Sequence, residues 1–145
     1  MNNIEKRVTE LINEYGSAEP EVICEGMGII IVVHELPQHV NGFTVRMNGI
    51  PFIVLNSSLD YYRSRVTTAH ELGHIVLHGA TNSIELSCNT GFCVSRFERE
   101  ADCFAAHLLM KAELSSFEGR ESLTTEDVSK MAHIPMEMVE NAFTS

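Results

Sequence analysis

The chain has 145 residues, 44% of them hydrophobic, and a formal net charge of −10 at pH 7. That is enough apolar material for one core, so a single folded unit is expected rather than a disordered chain. The negative charge repels a phosphate backbone and argues against direct nucleic-acid binding. The longest aliphatic run, Ile29 to Val33, is too short to span a bilayer, and the polar start lacks the apolar segment of a signal peptide. A cytoplasmic location is therefore expected, and with it reduced thiols at Cys24, Cys88, Cys93 and Cys103. No C-x-x-C pair supports a redox or metal-storage role, and Cys88-x4-Cys93 lacks a matching second pair.

Ile4, Val8, Leu11, Ile12 and Tyr15 recur at helical spacing, and Gly16 is the expected stop. Pro20 suits the first turn of a second, short helix through about Gly26, with Val22, Ile23 and Met27 as its apolar side. Ile29 to Val33 is a continuous β-branched run, as in a strand covered on both faces. A hairpin follows. Phe43, Val45 and Met47 alternate with Thr44 and Arg46, Asn48-Gly49 supplies a turn with positive φ, and Pro51 to Leu55 returns. A small antiparallel sheet thus precedes the next helix, and its edge could hold an extended peptide by strand addition. Asn56, Ser57 and Ser58 offer turn and capping groups ahead of Leu59 to Arg65.

Residues 66 to 79 contain His70-Glu71-Leu72-Gly73-His74 within an apolar helical pattern. An advance of about 100° per residue puts His70 and His74 about 40° apart on neighbouring turns, so both imidazoles can face one point. That arrangement suits zinc, with Glu71 alongside as a general base and not a ligand. A plain surface helix explains His78, near the C-terminal end before Gly79, but not two histidines among Ala69, Leu72, Ile75 and Val76.

Residues 80 to 94 lack a period and are expected to form a loop, after which a helix starts at Ser95. Its packing side is Phe97, Ala101, Phe104, Ala105, Leu108 and Leu109, and it carries Glu98, Glu100 and Asp102. A catalytic zinc commonly takes two histidines and a glutamate. Glu98 and Asp102 share a face, so Glu98 can bind the ion while Asp102 accepts the second N–H of a ligand histidine. The competing role for Glu98 is a capping box with Ser95. Glu100 points about 160° away from Glu98, and His107 lies nearly opposite it, which argues against either as a ligand.

Arg63-Ser-Arg-Val-Thr-Thr-Ala-His-Glu-Leu-Gly-His-x3-His78, followed by Phe97-Glu-Arg-Glu-Ala-Asp-Cys-Phe-Ala-Ala-His-Leu-Leu-Met110, resembles the ImmA/IrrE family of metallopeptidases. The resemblance covers about the middle half of the chain. It implies a zinc-dependent cytoplasmic peptidase of phages, integrative elements or stress responses, with a helix-turn-helix repressor as substrate. By the family's E-x-E-A-[ND]-x-F-A pattern, Glu98 carries over as third ligand and Asp102 stands where Asn is frequent. The chain departs at Lys111, where Pro is common, and at Val66-Thr67-Thr68, where Phe-Thr-Leu is usual.

The expected fold is therefore an α+β zincin-like metallopeptidase domain over residues 1–115, with a small antiparallel sheet and helices. A helical pair at 116–145 is expected to pack on the same domain. That pair, Val128 to Val139 with Phe143 beyond, has helix-turn-helix spacing and a possible cap at Thr124 or Thr125. Its second helix offers Glu137 and Glu140 where a DNA reader needs bases, so it is expected to close the core or meet a partner protein. Tyr61, Tyr62 or Arg63 are open possibilities for an oxyanion donor. The alternative to an enzyme is a zinc-containing module that inactivates a repressor by holding it. Retention of Glu71 favours the enzyme, since a structural zinc needs no base.

Overall fold

The computed structural model describes residues 3–79 and 91–144. Two helices open the chain, α1 (Asn3–Tyr15) and α2 (Pro20–Gly26), followed by β1 (Ile30–His34) and the hairpin β2 (Gly42–Met47) and β3 (Ile50–Asn56). Then come α3 (Tyr61–His78), α4 (Gly91–Ala112), the short α5 (Leu114–Phe117), α6 (Thr125–Ala132) and α7 (Met136–Thr144). The α+β architecture expected from the sequence is present.

The sheet order is β1-β3-β2, with β2 antiparallel and β1 parallel to the central β3. The sheet is thus mixed. Asn48 and Gly49, at φ 53° and 79°, make the tight turn that pairs β2 with one edge of β3, and β1 adds to the other. This corrects the reading of β1 as covered on both faces, because it is an edge strand with Val33 61% exposed. A run of apolar residues cannot by itself tell an edge from a centre.

The alternation in β2 does not become one buried apolar face, since Phe43 and Val45 are only partly buried and Arg46 is exposed. Thr44 is buried beside its cross-strand partner Ile53, while Met47 is exposed. In α2 the buried residues are Pro20, Ile23 and Cys24, which follow the i, i+3, i+4 rule better than the expected Val22.

α3 and α4 pack along one another, with the sheet against α3, and with α1 and α7 against α4. One core joins Val8 and Leu11 of α1, Leu72 of α3, Phe104 and Leu108 of α4, and Val128 and Val139 of the C-terminal pair. Thr124 caps α6 in a reciprocal box with Asp127, as the sequence suggested. Cys24 and Cys103 are buried, whereas Cys88 and the side chain of Cys93 lie outside the described residues; so does most of the loop expected over 80–94, and its last part, from Gly91, is instead helix.

Candidate active site

The cap of α3 is Asp60, whose Oδ1 accepts the backbone N–H of Arg63 at 2.8 Å. The expected capping group Asn56 does other work. It is buried, its Nδ2 donates to the carbonyls of Leu36, Pro37 and Val40, and its Oδ1 accepts from the Ser58 N–H, so it ties the connection after β1 to the start of α3. Arg65 is nearly buried and pairs with Glu19 and Glu113 at 3.0 and 3.2 Å, joining α2 and the end of α4 to α3.

On α3 the rings of His70 and His74 lie edge to face with centroids 4.8 Å apart. α4 brings the acids. Glu98 bridges both imidazoles, with Oε2 3.1 Å from His70 Nε2 and Oε1 2.8 Å from His74 Nε2. Asp102 Oδ1 lies 2.8 Å from His70 Nδ1. His74 Nδ1 is 3.0 Å from His78 Nδ1, and His78 Nε2 is 3.2 Å from Glu100 Oε1. Glu71 is buried at 6% exposure, with the Thr44 hydroxyl close enough to influence its carboxyl group, while Oε2 has no hydrogen-bond partner.

The environment separates the acids. Burial pushes the Glu71 carboxyl pKa up, and the nearby His70 and His74 offset this only in part. Glu98 is also penalised by burial, but the hydrogen bonds from His70 and His74 prevail and hold it well below the usual carboxylate range. For His70, burial favours the neutral ring, yet its bonds to Asp102 and Glu98 outweigh burial and raise its pKa to about 10. Burial lowers the pKa of His78, with Glu100 countering it incompletely.

Among the described residues, His70, His74 and Glu98 can each offer one donor atom to a common ion, all within 4.8 Å of one another. Three features fit a divalent cation. Both Nε2 atoms face the Glu98 carboxylate, the Nδ1 atoms are engaged elsewhere, and the carboxylates of Glu98 and Asp102 bring negative charge to the histidine pair. The half-exposed Glu98 side chain leaves this cluster open to a cleft of about 750 Å³. Its lining includes Tyr62, Arg63 and Val66 of α3, and His133, Ile134 and Pro135 in the turn between α6 and α7. The Tyr62 and His133 rings stack at 3.8 Å.

The structure thus brings together His70, Glu71, His74, Glu98 and Asp102. Ser95 lies inside α4, which starts at Gly91, so it cannot cap that helix with Glu98. Tyr62 and Arg63 line the cleft, and Tyr61 lies in a different depression. His107 lies apart from the cluster, buried on the other side of α4, where the Ala142 backbone bonds its ring and Nε2 has no partner. The sequence reading missed Thr44, the His78–Glu100 pair and the wall from the C-terminal turn. Only His78 left a signal, four residues beyond His74 on the same face.

The phage phi105 protein described as "Uncharacterized immunity region protein 2", from a Bacillus phage, is 29% identical to this chain over 135 residues, covering 93% of this chain and 85% of the phage protein. Metallopeptidase ImmA of Bacillus subtilis (strain 168) is 24% identical over 107 residues, covering 74% of this chain and 63% of ImmA. The family model of the IrrE N-terminal-like domain, a peptidase family, matches residues 24–144, which include every residue of the cluster. The chain belongs to this ImmA/IrrE metallopeptidase family.

Proposed function

We propose that this protein is a zinc-dependent peptidase that cleaves a helix-turn-helix repressor in the cytoplasm, with His70, His74 and Glu98 as metal ligands, Glu71 as general base and Asp102 orienting His70. The observation that carries the reading is the Glu71 carboxyl group, buried beside both histidines with Oε2 unpartnered. A holding module gains nothing from such a group, whereas water splitting requires it.

Zinc held by His70, His74 and Glu98 would supply Lewis-acid chemistry, the acidification of water and polarisation of a peptide carbonyl. Glu71 Oε2 then takes a proton from the attacking water and delivers it to the leaving amine nitrogen. Asp102 accepts the Nδ1–H of His70, which leaves Nε2 as the donor atom. The cleft is large enough for several residues of an extended chain, and β2, which follows the cleft residue Asn41, is an edge strand of the sheet and could pair with one. The phage relative, named for an immunity region, supports a regulatory substrate.

The test is incubation of zinc-loaded protein with a helix-turn-helix repressor encoded beside it, with fragments read by mass spectrometry. Wild type should cut. Glu71→Gln should keep zinc and repressor binding while cleavage falls by at least ~10²-fold. If the variant relieved repression in cells as fully as wild type, holding would replace cutting as the function.

A further inference from the structure

We propose that His78 and Glu100 are positioning residues that hold His74 through a relay, His74 Nδ1 to His78 Nδ1 and His78 Nε2 to Glu100, so that His74 presents Nε2 to the cluster. This rests on the metal-site reading above and extends it to two residues outside the ligand set.

The argument is one of hydrogen-bond direction. A neutral imidazole carries one proton, so one ring nitrogen donates and the other accepts. For His74 Nε2 to offer a lone pair, its proton must be on Nδ1, which then donates across 3.0 Å to His78 Nδ1. His78 must therefore carry its own proton on Nε2, where Glu100 Oε1 accepts it at 3.2 Å. Each link thus sets the next. The chain ends on an acceptor-only group, as a carboxylate is, so the opposite orientation of all three members is excluded.

A surface role explains these residues poorly. The His78 side chain is 3% exposed, and the Phe97 ring packs edge-on against it at 4.2 Å, so its orientation is fixed by packing and not by solvent. The two ligand histidines are then anchored alike to α4: His70 directly by Asp102, and His74 through one intervening ring by Glu100. Glu100 lies roughly 160° around α4 from Glu98. It can serve the site because His78, a turn beyond His74 on α3, comes to meet it. Outer groups of this kind set both ring orientation and ligand basicity.

The experiment measures zinc affinity by competition with a chromogenic chelator, and circular dichroism of the zinc-depleted proteins checks that each is folded. His78→Leu should bind zinc about 10–100-fold more weakly, and Glu100→Ala should weaken it in the same direction. The double variant should lose little beyond His78→Leu alone, because the two act in series. His78→Asn should recover part of the loss, since its amide oxygen can accept from His74 Nδ1. Glu100→Ala, at a position one-third exposed, tests the relay even if His78→Leu fails to fold. Wild-type affinity in Glu100→Ala and in a folded His78→Leu, or losses that multiply in the double variant, would overturn the relay alone. A wild-type protein with no zinc affinity would overturn the metal site, and the relay with it.

Discussion

Gly73 sits between His70 and His74, where α3 packs on α4, and its replacement by Ala tests how tightly the proposed metal site depends on that packing. A Cβ added there would lie 3.0 Å from Phe104 Cδ1, 3.1 Å from Phe104 Cβ and 3.2 Å from the Ala101 carbonyl oxygen. Helix propensity favours the substitution by about 1 kcal/mol, and burying the methyl adds about 0.8 kcal/mol. Overpacking opposes it by typically ~1–3 kcal/mol. The upper part of that range applies here, because Phe104 is fully buried and Ala101 O belongs to helix backbone, so neither can retreat. The net expectation is a loss of about 1 kcal/mol, with α3 and α4 forced apart by a few tenths of an ångström. The metal site should suffer more than the fold. His74–Glu98 and His70–Asp102 both span this helix contact at 2.8 Å and have little slack, so zinc affinity should fall at least ~10-fold. Chemical denaturation of the zinc-depleted protein and chelator competition read the two effects separately. A Gly73→Ala protein stabilised by 1–2 kcal/mol, with unchanged zinc affinity, would refute the reasoning (the sum of the two gains above).

Asp102→Ala should weaken zinc binding by about 10–100-fold without unfolding the protein, and Asp102→Asn should be milder; chelator competition measures both. Arg65→Ala should destabilise the fold by about 1–3 kcal/mol in urea titration, since it removes charged bonds to Glu19 and Glu113, with Glu19 half-exposed and able to recover water. Burial, helped by Glu21, pushes the Cys24 thiol from 9.0 up to about 12, so it should resist a thiol reagent at pH 8 until the chain is unfolded. The sign for stability follows: the folded pKa is raised, so Cys24's contribution is complete below pH 9 and is lost as pH climbs toward 12, whereas Cys24→Ala should lack that alkaline decline.

What could be read from the sequence depended on whether partners share one element. His70, Glu71 and His74 lie on one helix, and Glu98 with Asp102 on another, so periodicity alone placed each set on a face. The link between His78 and Glu100 joins two helices, and neither residue's own helix announces it. Thr44 was hidden for a different reason. The alternation in β2 marked apolar and polar positions but not which face turns inward, and the one fully buried position there is the polar Thr44. That position carries a hydroxyl because it meets a carboxyl group as well as a core. Gly91 gave no helix-start signal, which set the predicted boundary too late, and the cleft wall at His133 to Pro135 depends on a packing of the C-terminal pair that no local pattern encodes.

The four acids of the site show how one local composition yields different chemistry. Glu98 lies between two imidazoles and is kept ionised, the state a ligand needs. Asp102 and Glu100 each end a chain of ring nitrogens, where an acceptor with no proton of its own fixes direction. Glu71 differs from all three: burial raises its proton affinity, one hydroxyl lies close to it, and Oε2 is left without a partner. With its folded pKa raised, its contribution to stability is complete below the unfolded value of 4.5 and is lost as pH rises, so at neutral pH it is a cost to the fold. A buried group that weakens the fold and adds nothing to ligation is better explained by proton transfer than by architecture. The same features suit it to the task, since a base must hold a proton briefly and release it, and a carboxylate as acidic as Glu98 would release it without having held it.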